Sequence, residues 1–266
     1  MSDYLLFVIK KALFILVITA PLHLSGCATL EADMPSGWSS ERLYEEGVDS
    51  LRHEDYTFAI EHFEMMESRF PFEALTQQAM LMNAFAYYKV NDPESAIAAA
   101  NRFIKLYPTH ADVDYAYYLR GLAHFHSRDS FMDDLFKVDP AKRDPESVQR
   151  SFYYFSELIT RFPGSRYVAD ARQRMLFLRN SLARNEVYIA RHYIERGAYI
   201  AAVNHSKEVL ERFDGTPSTG DALVAMTEAY ILLKQIDLAQ DALKVLQYNY
   251  PDHPAISGLL DKLANT

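Results

Sequence analysis

Four times between residues 69 and 251 an aromatic side chain is followed by proline: Phe70-Pro71, Tyr107-Pro108, Phe162-Pro163 and Tyr250-Pro251. Proline lacks the amide hydrogen and its ring clashes with the preceding turn, so each pair marks a place where a helix must stop. Arg212-Phe213-Asp214 is a fifth copy without proline. The stops at 71, 108, 163, 214 and 251 are 37, 55, 51 and 37 residues apart, a unit of about 37 residues lengthened twice. Between them the apolar spacing is helical and no long alternating run occurs, which predicts an all-α chain built from a repeated element.

Small residues recur inside each unit: Gly47 with Ala59, Phe63 and Pro71; Ala84 with Tyr87, Ala96, Ala100 and Pro108; Ala190 with Tyr193 and Ala202; Tyr230 with Ala239, Leu243 and Pro251. Small side chains at this spacing let two antiparallel helices cross closely, and the pattern is that of the tetratricopeptide repeat. In the third unit Gly121 stands 30 residues before Ser151 where the others have 12, so an insertion of 18 falls at about 127–144. Asp92-Pro93 and Asp144-Pro145 supply a capping oxygen followed by proline at the first helical position, and Asp55 and Asp237 precede two other second helices. The expected fold is an all-α tetratricopeptide solenoid of about five helix pairs over 40–255, with a long helix near 168–196 opening the fourth repeat. Residues 256–266 are expected to be a helix end or tail. One pair cannot bury its own apolar face, so the units stack, and the concave side becomes a groove for an extended or helical peptide. Such a fold predicts binding rather than chemistry.

The first residues set the expected compartment. Lys10 and Lys11, the apolar run 12–18 and Leu24-Ser25-Gly26-Cys27 read as a basic region, a short hydrophobic region and a small-residue cleavage site. The run is too short for a membrane span, which needs about 20 apolar residues. Leu-Ser-Gly-Cys resembles a lipobox, which implies a cleaved signal at 1–26, acyl chains on Cys27 and a short tether at 27–39. Several acyl chains on one residue would anchor the mature chain firmly, since each buried methylene contributes about 0.8 kcal/mol. Ala28, where lipoproteins retained in the inner membrane carry Asp, favours the outer membrane.

Other chemistry is sparse. Lys plus Arg is 27 against 36 acids, a formal charge of -9, which argues against a nucleic-acid binder. One cysteine excludes an intrachain disulfide and any CxxC site. His124-x-His126 on a helix points its imidazoles about 200° apart, and no HExxH, GxSxG, Walker or GxGxxG motif occurs. Glu67-Ser68 and Glu94-Ser95 resemble the catalytic dipeptide of some wall-cleaving enzymes but fall inside repeat helices. The expectation is a non-enzyme with no metal and no cofactor beyond acyl chains on Cys27. Two surface features stand out. Residues 142 to 212 carry 13 basic and 8 acidic side chains, a local +5 that suits an acidic partner, whereas the rest of the chain is -14. There are also 18 tyrosines and 16 phenylalanines, most needed for packing and a minority free to line a peptide groove.

Arg69-Phe70-Pro71-Phe72, Ala86-Tyr87-Tyr88-Lys89, Tyr107-Pro108-Thr109-His110, the run 114–122 (DYAYYLRGL), Arg143-Asp144-Pro145 and Glu195-Arg196-Gly197-Ala198-Tyr199 together resemble the BamD family. The resemblance runs from Cys27 to about Pro251 and departs at Glu73, where the family usually has Gly, and at Ala111, where it usually has Pro. It implies a non-enzymatic lipoprotein scaffold of the β-barrel assembly machinery, on the periplasmic face of the outer membrane of a Gram-negative bacterium. The implied partners are BamA, bound through its membrane-proximal periplasmic domain, other lipoproteins of the machinery, unfolded outer-membrane proteins, and outer-membrane lipid through acylated Cys27. The resemblance implies that the last two repeats carry the BamA contact, with Arg196, Tyr199 and Arg191 as its residues. It also implies that the first repeats recognise an aromatic-ended signal, with Phe72, Tyr87, Tyr88 and Tyr115 as candidates. The insertion, with Phe131, Leu135 and Phe136, is expected to pack on the solenoid or hold an accessory lipoprotein. The competing expectation is a tetratricopeptide lipoprotein that recruits peptidoglycan or cell-division enzymes.

Overall fold

A computed structural model describes residues 37–125 and 145–266. The export signal, Cys27, most of the tether, His126, Asp144 and the insertion with Phe131, Leu135 and Phe136 lie outside the described residues. Ser40–Thr266 forms one compact unit. Its described part contains eleven helices and no strand: α1 (Ser40–Arg52), α2 (Tyr56–Arg69), α3 (Ala74–Lys89), α4 (Pro93–Leu106), α5 (Val113–Phe125), α6 (Pro145–Arg161), α7 (Val168–Glu195), α8 (Tyr199–Arg212), α9 (Thr219–Leu232), α10 (Ile236–Asn249) and α11 (Ile256–Ala264). Neighbours in sequence are neighbours in space, and each odd-numbered helix up to α9 pairs with the helix that follows it.

The pairs share one register of buried positions. Gly47, Ala84, Gly121, Ala190 and Thr227 occupy one place in the five first helices, and all are buried. Twelve residues on, or 30 in the third pair, lie Ala59, Ala96, Ser151, Ala202 and Ala239, also buried. The hydroxyl of Ser151 donates to the carbonyl of Gly121 at 2.8 Å, which ties the third pair together across its 18-residue insertion. Seven residues further along the second helices, Met66, Phe103, Leu158, Val209 and Leu246 are fully buried. Each such side chain contributes about 1.5–3 kcal/mol by leaving water. The residues at the expected stops, Phe70, Tyr107, Phe162, Phe213 and Tyr250, each send the last amide hydrogen bond back to one of those five carbonyls, at 2.8–3.0 Å.

Glycine matters most where two backbones touch. A Cβ on Gly47 would lie 2.6 Å from the Phe63 ring, and one on Gly121 would lie 2.4 Å from the Phe155 ring. Phe63 and Phe155 hold the same place in their second helices, and the other pairs set Ala84 against Ala100, Ala190 against Ser206 and Thr227 against Leu243. Phenylalanine therefore sits only opposite glycine.

The turns between paired helices share a backbone solution. Glu54, Asn91, Gly197 and Lys234 all have φ between 59° and 75°, and the next residue returns an amide bond to the carbonyl five residues before it. This is a Schellman closure, which satisfies the last carbonyls of the first helix. Asp55 and Asp92 then cap α2 and α4 through their carboxylates. Asp237 does not cap: Gln235 takes that place and Asp237 is the second residue of α10. Residues 256–264, read from sequence as a helix end or tail, form α11, which buries Leu259 against α9 and α10.

Helix α7 has 28 residues, twice the 14 of α8. The second lengthening of the repeat is therefore 14 extra residues, almost four full turns, which fit in without breaking the helix. The first half of α7 serves α5: Tyr115 and Tyr118 pack on Tyr167, and Phe125 packs on Phe177. Its second half serves α8 and α9, through Glu186 with His205 and Arg191 with Asp221.

Candidate partner-binding site

Arg196 closes α7 as its C-cap and is exposed. The equivalent turn residues in the first, second and fifth pairs are His53, Val90 and Leu233, so the Schellman closure makes no demand for a cation there. Among the described residues no carboxylate pairs with Arg196. A positive charge beyond the last carbonyls is favoured by the helix dipole, so the guanidinium stands in the solvent at little cost. Gly197 follows in the left-handed region at φ 75°, and Tyr199, partly buried, starts α8. Ile200 is 67% exposed beside them. The sequence signal for Ile200 is an apolar residue where the other second helices have Thr57, Glu94, Gln149 and Asp237. Arg196, Tyr199 and Ile200 thus form a corner with a cation, an aromatic ring and an apolar side chain, the composition of an interface anchor.

Arg191 does not join this corner. Five residues along a helix turn a side chain by about 140°, and Arg191 donates to Asp221 Oδ1 at 3.0 Å, tying the fourth pair to the fifth. His253 Nε2 lies 3.7 Å from the same carboxylate oxygen.

Of the four aromatic candidates of the first repeats, Tyr87, Tyr88 and Tyr115 meet on one cluster and Phe72 stands apart. Phe72 is 96% exposed in the loop before α3, whereas Tyr88 lies at the far end of that helix. Tyr87 is bound to its neighbour, its hydroxyl donating to Glu64 of α2. Tyr87, Tyr88 and Tyr115 pack on one cluster, Tyr88 against Phe85 and Tyr115 against Tyr167, with ring centres 6.2 and 5.3 Å apart in these two pairs. Tyr118 belongs to the same row: it stacks on Tyr167 at 4.7 Å and donates to Asp170, which also accepts from Arg174 Nε at 2.5 Å. The row therefore combines ring faces with a carboxylate already held by two donors.

Burial holds the hydroxyls of Tyr87 and Tyr115 above the ordinary tyrosine range, and burial with the Asp170 bond pushes Tyr118 up to about 12. A raised folded-state value means that the neutral phenol is the form the fold accepts. Its stabilising contribution is whole below pH 10 and is lost as the pH rises through 12. Urea unfolding at a series of alkaline pH values should show stability falling over that window in the wild type and falling less steeply in Tyr118→Phe. Equal slopes would contradict the assignment.

The dipeptides flagged for acid chemistry have structural partners. Glu67 accepts from Asn83 at 3.2 Å and pairs with Arg102, and its carboxyl is raised chiefly by burial. Glu94 lies in the exposed first turn of α4, 3.7 Å from Arg150. Among the described residues no cluster of three His, Cys, Asp or Glu side chains could hold a metal, and no helix is long and apolar enough to cross a membrane.

The YfiO family model, described as outer membrane lipoprotein, matches residues 37–246. A protein of Neisseria gonorrhoeae named outer membrane protein assembly factor BamD is 40% identical over 93% of this chain and 94% of its own length. The BamD of Xylella fastidiosa strain Temecula1 is 34% identical over 88% of this chain and 80% of its own. The chain belongs to the BamD family. The BamD of Vibrio cholerae is 36% identical over 85% of this chain and 93% of its own. Among solved structures, a tetratricopeptide protein of Thermus thermophilus, TTC0263, covers 85% of the chain at 13% identity and TM-score 0.37. Against the usual BamD pattern the chain has Glu73 in place of Gly, and the geometry accommodates it: Glu73 sits at φ -83° and ψ 149°, extended backbone open to any residue.

Proposed function

We propose that the chain is a non-enzymatic scaffold of the machinery that folds β-barrel proteins into the outer membrane, held at the periplasmic face by acyl chains on Cys27. The corner of Arg196, Tyr199 and Ile200 binds BamA through the periplasmic domain nearest the membrane. The partly buried rings of Tyr88 and Tyr115 bind the terminal segment of an unfolded barrel protein. Other lipoproteins of the machinery share the remaining surface. The observation that carries this reading is Arg196 itself, an exposed cation at a turn position that the repeat fills elsewhere with His53, Val90 and Leu233. The names of the BamD relatives support the same role.

Anchoring confines the scaffold and its partners to one surface and so raises their effective concentration. A Cys27→Ala form secreted to the periplasm should assemble barrels severalfold more slowly, as followed by the heat-modifiable gel shift of a newly made porin; a normal rate would contradict the anchoring role. The scaffold role is tested with BamA in proteoliposomes and a urea-unfolded barrel protein. Adding the acylated chain should raise the yield of protease-resistant barrel severalfold, and no rise would overturn the reading.

A further inference from the structure

Among the described residues, the face of α7 on which α8 lies is covered only along the second half of the helix. In the other pairs the two helices differ in length by no more than four residues, whereas α7 exceeds α8 by 14, about 21 Å. Tyr193, Ala190, Glu186 and Ala183 recur three and four residues apart and form one face, and α8 lies on that face. Tyr193 stacks on His205 at 5.3 Å, Glu186 lies 2.7 Å from His205 Nδ1, and Ala183 shares a buried cluster with Val209 and Phe213. Helix α8 ends beside Arg179, which donates to the Asp214 carbonyl at 2.5 Å. The same spacing continues to Leu176 and Arg172, past the end of α8. There Leu176 is 57% exposed and Arg172 is exposed.

At that end a cavity of about 400 Å³ opens between α6, α7 and α8, walled by Phe152, Leu182 and Phe213 and flanked by Arg179 and Arg212. Tyr153 of α6, also at the cavity, is 61% exposed. The charge is one-sided. Residues 168 to 185 contain four arginines and a single acid, Asp170, which is taken up by Tyr118 and Arg174. Arg179 bonds to a neutral carbonyl, and among the described residues neither it nor Arg172 has a carboxylate partner. Of the two arginines that flank the cavity, only Arg212 has one, Glu208.

We propose that this face docks an acidic amphipathic helix of a partner protein, seated where a longer α8 would lie. Its apolar side chains enter the cavity against Phe152, Leu182 and Phe213, and its carboxylates meet Arg172 and Arg179. The space left by α8 fits about 14 residues, four turns. Leu176 is 20 residues from Arg196 along α7, about 30 Å, so the site is separate from the proposed BamA corner and does not rest on it.

The test uses the full chain with a benzophenone amino acid in place of Leu176. The probe is a fluorescein-labelled, end-blocked 14-residue peptide with Leu and Phe at helical i, i+3, i+4 spacing and Glu elsewhere; its control has Gln for every Glu. The acidic peptide should cross-link at least tenfold more than the control. Arg172→Glu combined with Arg179→Glu should remove that difference, while Arg196→Glu leaves it unchanged. Should the double variant lose helix content, Arg172→Glu alone carries the test, because its exposed side chain holds nothing among the described residues. Equal cross-linking of the two peptides, retention by the charge-reversed chain, a cross-link to a second copy, or one within the chain that the peptide does not displace would each overturn the proposal.

Discussion

Gly121→Ala is expected to lower the stability of the chain by about 1–3 kcal/mol, although alanine is the better helix former. Helix propensity alone would favour the substitution by about 1 kcal/mol. Against it stands a Cβ placed 2.4 Å from the ring of Phe155, which is fully buried and has no room to give. Overpacking of a tight core costs about 1–3 kcal/mol, and here the clash sits where two helices cross, so it outweighs propensity. Phe155→Ala alone should cost about 3–5 kcal/mol through lost burial and a cavity. The double variant recreates the pairing that Ala84 and Ala100 already make in the second repeat. It should therefore be more stable than the sum of the single losses by at least about 1 kcal/mol, a coupling expected of residues in contact. Urea unfolding of the four proteins, followed by helical circular dichroism, measures this directly. Additive losses would mean that the close crossing at Gly121 is not what the glycine is for.

Arg196→Glu is expected to weaken binding of the membrane-proximal periplasmic domain of BamA by about thirtyfold or more, which corresponds to about 2 kcal/mol and is the scale of an arginine hot spot. The fold should be indifferent to the change, because the Schellman closure at this position is made by backbone groups and occurs with His53, Val90 and Leu233 elsewhere. A carboxylate at the end of α7 also faces the negative end of the helix dipole, a penalty of about 0.3–1 kcal/mol that should leave helix content unchanged. Arg191→Ala makes the useful contrast. It breaks the bridge to Asp221 and should lower the unfolding midpoint slightly, while moving the affinity far less than Arg196→Glu. Titration calorimetry with the isolated domain separates the two, and equal losses of affinity would show that Arg191 and Arg196 act as one surface.

The repeat was legible because its spacing is set by steric necessity. Gly47, Ala59 and Pro71 occur at distances that two crossing helices require, and the 30-residue gap from Gly121 to Ser151 announced an insertion by its excess of 18. The long helix was legible too, since no proline or glycine interrupts residues 168 to 195. What the chain order conceals is which side chains are already engaged. The hydroxyl of Tyr87 is engaged by Glu64, 23 positions away, and Arg191 by Asp221, 30 positions away. Those meetings depend on the stacking of one pair on the next. The cap of α10 failed for a different reason. Asp237 is the better capping residue, but the Schellman closure at Lys234 places Gln235 at the helix start whatever its side chain.

The central claim is that this chain works as a scaffold for barrel assembly. The most direct test extracts the acylated protein from outer membranes in mild detergent and weighs what elutes with it. BamA, a large barrel protein with tandem periplasmic domains, is expected in near-stoichiometric amount. Elution with peptidoglycan hydrolases or division proteins in that proportion, or with no partner, would leave the helical fold intact and contradict the function.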